Sequence, residues 1–345
     1  MNLKDFEYNL PKELIAQEPT DKRENSRLMV LFCKEKRSEH CYFKDITGYL
    51  RSGDILVVND TRVIPARLKG VKKSGGGKVE ILLVHERGTN LWDVFVRPGR
   101  KVRVGDVIQF GNQLSGIVKE VTSTGRLIEF IANGDFKKIL EDIGEVPLPH
   151  YIKRTGPPTP RDKVRYQTVY ASKDGAIAAP TAGLHFSSEI MQEILKKGVD
   201  ILTITLHVGP GTFRPIRLDD ISTHKMESEY FEISGNVFNK IVSARKSCRR
   251  VIAVGTSTVR ALESAVNIPG FTGGKGWTDL YIYPGYKFKI IDGLITNFHL
   301  PHSTPLVLVC AFAGRELILK SYEEAIEKRY RFLSFGDAML ILDIY

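Results

Sequence analysis

Residues 67–150 contain a run of short segments in which apolar and polar residues alternate, and this run constrains the fold more than any other feature. Glycine-bearing turns such as SGGG, RGTN and GN separate the segments, and a helical pattern occurs only at the end, in DFKKILEDIG. The candidate strands are ARLKGVKK, KVEILLVHE, LWDVFVR, DVIQFG, QLSGIVKEV and RLIEFIA. Such short strands indicate a small antiparallel barrel or sandwich, and we predict an antiparallel β-barrel domain over residues 67–150.

The sequence on either side of this run has a different pattern. After residue 150, helical segments such as SSEIMQEILKKG and STVRALESAV alternate with buried-strand segments such as DILTITLHVG and VIAVG. This alternation predicts crossover connections and a mixed, largely parallel sheet with helices. Because DILVVN in the first 66 residues has the same buried-strand composition, we predict one discontinuous α/β domain, residues 1–66 and 151–345, into which the barrel is inserted.

Composition limits the class of protein. The chain has 345 residues, is 42% hydrophobic and carries a net charge of +10. An excess of lysine and arginine favours partners that carry phosphate, although a solvated basic surface explains it equally well. The charged N-terminus is unlike a signal peptide, and the longest apolar stretch, Pro305 to Gly314, is about half of a membrane span. We expect a soluble, cytoplasmic monomer that has no membrane partner.

Polar and glycine residues follow several candidate strands of the α/β domain. Ligands in open α/β sheets bind outside the carboxyl ends of the strands, so these corners are the candidate site. The corners are VVNDTRVIPAR, APTAGLHF, TLHVGPGTFRP, AVGTSTVR and TNFHLPHST.

Each corner has a functional and a structural interpretation. The backbone N–H groups of GTSTVR suit a carboxylate or phosphate, or Ser257 or Thr258 simply caps the helix. GPGTF allows a ligand close approach to the backbone, or forms a tight turn. The pKa of a histidine suits proton transfer, although a lone histidine is more often structural. Asp60 and Arg62 could pair with each other.

Metal and nucleotide motifs are missing from the sequence. HKMESE and HLPH contain ligand-type residues, but neither has the spacing of a known zinc motif. There is no Walker loop and no G-x-G-x-x-G, and SGGGK lies between two predicted strands. We therefore expect no metal site and no standard nucleotide-binding module.

Motifs along nearly the whole chain resemble the S-adenosylmethionine:tRNA ribosyltransferase-isomerase family of queuosine biosynthesis. They include GDILVVNDTRVIPARL, AAPTAGLHF, LHVGPGTFRP, HKMESEYFEI, VIAVGTSTVRALES and YRFLSFGDAMLI. The resemblance implies transfer and isomerisation of the ribosyl portion of S-adenosylmethionine onto 7-aminomethyl-7-deazaguanine at the tRNA wobble position. The implied products are epoxyqueuosine-tRNA, adenine and methionine. No cofactor is implied beyond S-adenosylmethionine, which is consumed as the ribosyl donor.

The implied chemistry assigns roles to the corner residues. A base must remove a proton next to the sulfonium, and an acid near adenine would help it leave. The candidate catalytic residues are His185, His207, Asp60 and Glu229, with individual roles left open. The candidate substrate-binding residues are Thr61, Arg62, Thr181, Gly183, Gly209, Gly211, Thr212, Arg214, Gly255, Thr256, Ser257, Arg260, Asn297 and His299.

The tRNA would need its own contacts. A wobble base that leaves its stack would gain from an aromatic platform, and Tyr166, Tyr170, Tyr286 and Phe298 are the candidates. The basic segment Arg97 to Arg103 in the predicted barrel is a candidate contact to the RNA backbone, or a solvated loop. Two rival functions are a non-catalytic RNA-binding protein and an S-adenosylmethionine methyltransferase. The first leaves the polar corners unexplained, and the glycine motif usual in the second is missing.

Overall fold

The computed structural model describes residues 1–122, 125–209, 211 and 215–342. The strands, in chain order, are β1 (Arg27–Phe32), β2 (Arg37–Tyr42), β3 (Ile55–Asn59), β4 (Thr61–Val63), β5 (Arg67–Lys72), β6 (Lys78–Gly88), β7 (Leu91–Arg97), β8 (Val107–Phe110), β9 (Leu114–Val121), β10 (Arg126–Ala132), β11 (Lys173–Ala176), β12 (Asp200–Leu206), β13 (Glu229–Ile233), β14 (Val251–Val254), β15 (Gly274–Thr278), β16 (Gly293–Asn297) and β17 (Ala338–Leu342). The α-helices are α1 (Phe136–Ile143), α2 (Pro160–Arg165), α3 (Ser188–Lys196), α4 (Gly235–Lys246), α5 (Thr256–Asn267), α6 (Thr304–Ala313) and α7 (Arg315–Glu327).

The main sheet of the described residues has nine strands in the order β15-β13-β12-β3-β14-β16-β17-β1-β2. Its centre, β12-β3-β14-β16, is parallel, while β13, β15, β17 and β2 add antiparallel pairings. Every residue of β3, β14 and β16 is buried, as expected for parallel strands that are covered on both faces. The predicted mixed, largely parallel sheet is confirmed.

Two apolar layers cover the main sheet. On one face, helices α4 to α7 bury residues such as Ile241, Leu262 and Val307 in a common core with Val57 and Ala253. On the other face, α3 and the aromatic residues Phe43 and Phe186 pack against alternate residues of the same strands. Because successive side chains of a strand point to opposite faces, one buried strand supplies both layers.

Residues 67–132 contain the second unit, a closed antiparallel barrel of six described strands in the order β10-β7-β6-β5-β8-β9. Leu68, Ile81 and Ile128 lie in its core. Gly70 allows the Phe110 ring to fill the barrel, since a Cβ at this position would lie 2.6 Å from that ring. The predicted antiparallel barrel is confirmed as part of the fold.

The corner at APTAGLHF differs from its predicted form. The preceding apolar run does not enter the main sheet, because β11 pairs with β4 in a separate two-stranded parallel ladder. The corner itself is a 3-10 helix, Thr181–His185, and α3 begins only after Ser187, whose hydroxyl accepts a hydrogen bond from the backbone of Ile190. The prediction that this corner follows a strand of the main α/β sheet was therefore wrong.

Candidate active site

The carboxyl ends of the parallel strands meet at one edge, and Asn59 ties three of the elements there together. Its amide nitrogen donates to the carbonyl of Leu206 at 2.9 Å and to the hydroxyl of Ser257 at 3.2 Å. Its side-chain oxygen accepts from the backbone N–H groups of Leu206 and Thr61. This network fixes the ends of β3 and β12 beside the start of α5, so the predicted corners do converge.

A cavity of about 160 Å³ lies at this edge. It is lined by six of the predicted substrate-binding residues: Thr181, Gly255, Thr256, Ser257, Asn297 and His299. Apolar walls come from residues such as Val208, Leu300 and Leu333. No carboxylate, lysine or arginine occurs among the described residues that line it. The cavity therefore suits a group that is neutral overall, such as a zwitterion or a nucleobase.

Two helices begin at this cavity. At the start of α5, Gly255 has a φ of +90° and no side chain of the described residues caps the helix, so the alternative in which Ser257 or Thr258 is the N-cap was wrong. The hydroxyl of Thr258 donates to the carbonyl of Val254 instead. Helix α6 also starts here, after Ser303. At the start of α5, free N–H groups and the helix dipole favour an anion such as a carboxylate. At the start of α6, the Ser303 hydroxyl already accepts from the N–H of Leu306 and Pro305 has no N–H, so this helix contributes mainly through its dipole.

Asn297, at the end of β16, is 2% exposed and has a fixed orientation. Its amide nitrogen donates to His185 Nε2 at 3.0 Å and to the carbonyl of Leu333 at 3.1 Å. The carbonyl of Leu333 can only accept a hydrogen bond, so the side-chain atom of Asn297 that contacts it must be the amide nitrogen. The side-chain oxygen of Asn297 is buried and has no partner among the described residues. Asn297 is also one of the residues that line the cavity, so this acceptor lies close to its wall.

His185 lies behind Asn297 and does not line the cavity. Since Nε2 accepts from Asn297, the proton is on Nδ1, which donates to the hydroxyl of Ser26 at 2.7 Å. The ring also stacks on Phe43. Burial, with Arg331 and Arg23 nearby, lowers the pKa of His185 to about 3. In this arrangement His185 holds Asn297 in place, and its direct part in proton transfer stays a prediction.

His299 is a second buried neutral histidine, with Nε2 at 2.8 Å from the hydroxyl of Thr296. Burial lowers its pKa to about 3, as for His185. A histidine whose folded pKa lies below its unfolded value of about 6.5 stabilises the fold above that value and stops doing so as the pH falls.

Acidification should therefore weaken the fold before carboxylates titrate. From about pH 7 to about pH 5.5, two such histidines should lower the free energy of unfolding by about 2 kcal/mol in urea titrations. A His299→Asn variant should lose about half of this pH dependence. A stability that is constant over this range would contradict the buried neutral state of both rings.

A larger cleft of about 800 Å³ lies between the barrel and the α/β domain, and His207 is in its wall. His207 Nδ1 lies 2.7 Å from the hydroxyl of Thr61, and its ring stacks on Tyr230. Gly175 packs against the ring, since a Cβ there would come within 2.6 to 2.7 Å of three ring atoms of His207. Burial lowers the pKa of His207, so the ring is neutral at neutral pH and suits the role of a proton acceptor.

Glu229, also in the cleft wall, forms a buried ion pair with Arg260. Its other carboxylate oxygen accepts from the backbone N–H of Gly209 at 2.7 Å. Arg260 further donates to the carbonyls of Leu280 and Thr278 and lines a small third cavity next to the start of α5. The ion pair thus connects the segment after β12 to α5. The guanidinium of Arg260 is hydrogen-bonded to Glu229 and to two backbone carbonyls.

Asp60 and Arg62 do not pair with each other, so that alternative was wrong. Asp60 accepts from the hydroxyls of Thr205 at 2.6 Å and Ser172 at 2.9 Å. Arg62 lies 3.5 Å from Asp174 and is half exposed. Neither Asp60 nor Arg62 lines a described cavity. Asp60 holds the loop before β11 against β12, close to His207.

The predicted glycines have different surroundings. A Cβ on Gly183 would lie 2.1 Å from the hydroxyl of Tyr170, so protein packing alone requires a glycine there. Gly209 faces Glu229, and Gly211 packs against the side chain of Glu227. Thr212 and Arg214 lie outside the described residues.

Two sets of residues belong to these cavities but were missed in the sequence. The first is the ring pair His85 and Trp277, in the cleft, and the second is Tyr151 with Ser334, in the smaller cavity. Each pair comes from segments far apart in the chain, so no local motif could reveal them. Tyr166 and Phe298, two of the candidate stacking residues, are fully buried in the core.

The chain is similar to known proteins along nearly its whole length. The family model described as "Queuosine biosynthesis protein" matches residues 3–341. The chain belongs to this family. A relative from Halothermothrix orenii, named S-adenosylmethionine:tRNA ribosyltransferase-isomerase, is 52% identical over 99% of this chain and 100% of its own length. A relative of the same name from Desulforamulus reducens is 50% identical over the same shares of the two chains.

The family also has a solved structure that resembles this one. The crystal structure of S-adenosylmethionine tRNA ribosyltransferase from Thermotoga maritima is 38% identical, with a TM-score of 0.57 over 98% of this chain and 100% of the other. Two further findings concern the described residues alone. No helix among them is long and apolar enough to cross a membrane. No three His, Cys, Asp or Glu residues in the described ranges are grouped so that they could hold a metal ion.

Proposed function

We propose that this chain is an S-adenosylmethionine:tRNA ribosyltransferase-isomerase of queuosine biosynthesis. It transfers and isomerises the ribosyl portion of S-adenosylmethionine onto 7-aminomethyl-7-deazaguanine at the tRNA wobble position, and it releases adenine and methionine. The observation that carries the proposal is end-to-end identity of about half with relatives of that name. The uncharged cavity at the sheet edge, next to the cleft that holds His207, supports it.

The methionyl end of S-adenosylmethionine fits the uncharged cavity. Its carboxylate is the only anion in the molecule, and the uncapped start of α5 offers N–H groups to it. The side-chain oxygen of Asn297 is then the acceptor for the α-ammonium group. A zwitterion that is neutral overall needs no charged side chain in the cavity wall.

The residues that could transfer a proton lie in the wall of the cleft rather than in the uncharged cavity. Val208 lines both the cavity and the cleft, so the segment His207 to Gly209 separates the two. A ligand anchored in the cavity would have to pass this segment to reach the tRNA. The neutral ring of His207 is there to accept a proton, while Glu229 is tied to Arg260. We propose His207 as the base, and keep Asp60 and Glu229 as groups that orient the segments beside it.

Product analysis separates this function from the two rivals. After incubation with S-adenosylmethionine and a tRNA that carries the aminomethyl base, free adenine and methionine should appear in equal amounts. Release of S-adenosylhomocysteine would indicate a methyltransferase. Tight binding of the tRNA with no small-molecule product would indicate a binding protein.

The basic segment of the barrel is the proposed contact to the tRNA backbone. Arg100 and Lys101 are exposed on a short 3-10 helix, Gly99–Lys101, between β7 and β8. Charge reversal of both residues should raise the KM for tRNA without changing the KM for S-adenosylmethionine, with a smaller salt dependence of tRNA binding. Reversal at Lys34 and Lys36, in the turn after β1, is the control. Equal changes in both KM values, or no change, would reject this role.

The remaining proposals concern the compartment, the oligomeric state, the partners and the cofactors. We propose that the enzyme works in the cytoplasm as a monomer, with tRNA and S-adenosylmethionine as its partners and with no metal or further cofactor.

A further inference from the structure

The cleft between the barrel and the α/β domain contains a row of aromatic rings. His207 stacks on Tyr230 with 5.3 Å between ring centroids, and Tyr230 lies edge-on to Trp277 at 5.8 Å. His85, on barrel strand β6, contacts Trp277 edge-on at 4.6 Å. The row therefore runs from the candidate base to the barrel, across the whole cleft.

The sheet explains how this row arises. Tyr230 on β13 and Trp277 on β15 are direct partners in an antiparallel pairing, so their side chains share one face. His207 follows β12, and its backbone N–H donates to the carbonyl of Tyr230. Trp277 is at the edge of the sheet and is 51% exposed, an unusual state for so large an apolar side chain. Its exposed surface lies in the wall of an 800 Å³ cavity.

The charge of the cleft is opposite to that of the protein. Among the described residues that line it, seven are carboxylic acids and two are lysines, in a chain with a net charge of +10. Arg62, Lys163 and Arg260 pair with three of these acids from outside the lining. The carboxylates still outnumber these lysines and arginines, so the wall favours a cation over the phosphates of a nucleic-acid backbone.

We propose that this cleft binds the wobble base itself, a flat heterocycle with a cationic aminomethyl group, stacked on Trp277 and turned towards His207. The proposal rests on the proposed function, which supplies the aminomethyl base. An aromatic face suits the ring of a base that has left its stack. Asp174 and Glu232 lie beside the row, and the ammonium form of the aminomethyl group would take the place of their partly exposed partners Arg62 and Lys173. The uncharged cavity and the acidic cleft then hold the two substrates on opposite sides of the segment His207 to Gly209.

Substitution of Trp277 separates this role from a general effect on the fold. Trp277→Ala should raise the KM for tRNA roughly 10- to 100-fold, leave the KM for S-adenosylmethionine unchanged, and be rescued in large part by Trp277→Phe. Tyr42→Ala is the matched control, since Tyr42 is also 51% exposed and lies on β2, the opposite edge strand of the same sheet. An unchanged KM for tRNA in Trp277→Ala would overturn the proposal.

A binding measurement keeps the test independent of turnover. The chain has two tryptophans, so the signal of Trp277 is the difference in fluorescence between the wild type and Trp277→Phe. An anticodon stem-loop with 7-aminomethyl-7-deazaguanine should quench this signal, and one with guanine should quench it at much higher concentration. Quenching without turnover would support the base site while rejecting the proposed function. Turnover with no quenching would reject the base site and keep the function.

Discussion

Asn297→Ala is expected to lower kcat/KM for S-adenosylmethionine roughly 10- to 100-fold and to leave the KM for tRNA unchanged. The side-chain oxygen of Asn297 is a buried acceptor with no protein partner, in the wall of a cavity that contains no charged side chain among the described residues. A hydrogen bond from an ammonium group to such an acceptor is worth about 1.5 to 3 kcal/mol. That energy is lost when the acceptor is removed.

Two inhibitors show whether the lost contact is to the amino-acid end. S-adenosylhomocysteine retains the α-ammonium and carboxylate groups, whereas methylthioadenosine has neither. Asn297→Ala should weaken inhibition by the first and leave inhibition by the second unchanged. Equal weakening of both inhibitors would place the methionyl end elsewhere. A His185→Gln variant should show a smaller change in the same direction, because His185 does not line the cavity and contacts Asn297, which does.

Glu229→Ala is expected to lower the free energy of unfolding by about 3 to 5 kcal/mol. The change leaves the guanidinium of Arg260, which is 8% exposed, in a buried position without its counter-charge. It also removes the acceptor for the backbone N–H of Gly209. Chemical denaturation measures the effect directly.

The control is a carboxylate on the same strand. Glu232 lies 4.0 Å from Lys173 and is 31% exposed, so Glu232→Ala should cost at most about 1 kcal/mol. Similar losses in the two variants would contradict the structural importance of the buried pair. Glu229→Gln gives a separate result for catalysis, since normal stability with abolished turnover would identify Glu229 as a proton carrier.

Local patterns predicted the elements of this fold well. The segment LWDVFVR is strand β7 and RLIEFIA is strand β10, because alternating side chains in a barrel leave a clear period of two. The corner at Gly255 was also found, since a glycine between a buried strand and a helix is a local signal. The apolar run before APTAGLHF was misplaced because composition does not show which sheet a short strand joins.

Properties that depend on distant contacts were not predictable in this way. His185 and His207 both lie in glycine-containing corners, yet His185 is buried against Phe43 and Asn297 while His207 lies in a cleft. The contact between His85 and Trp277 joins the barrel to the far edge of the sheet. Only the packing of the two units against each other determines which rings and carboxylates face a ligand.

The most direct test of the central claim uses S-adenosylmethionine labelled with ¹³C throughout its ribosyl group. The labelled donor and a tRNA carrying 7-aminomethyl-7-deazaguanine are incubated with the enzyme, and the wobble nucleoside is analysed by mass spectrometry. We expect every ribosyl carbon to enter the nucleoside, while adenine and methionine leave unlabelled. A nucleoside without label, or one that has gained only a methyl group, would contradict it.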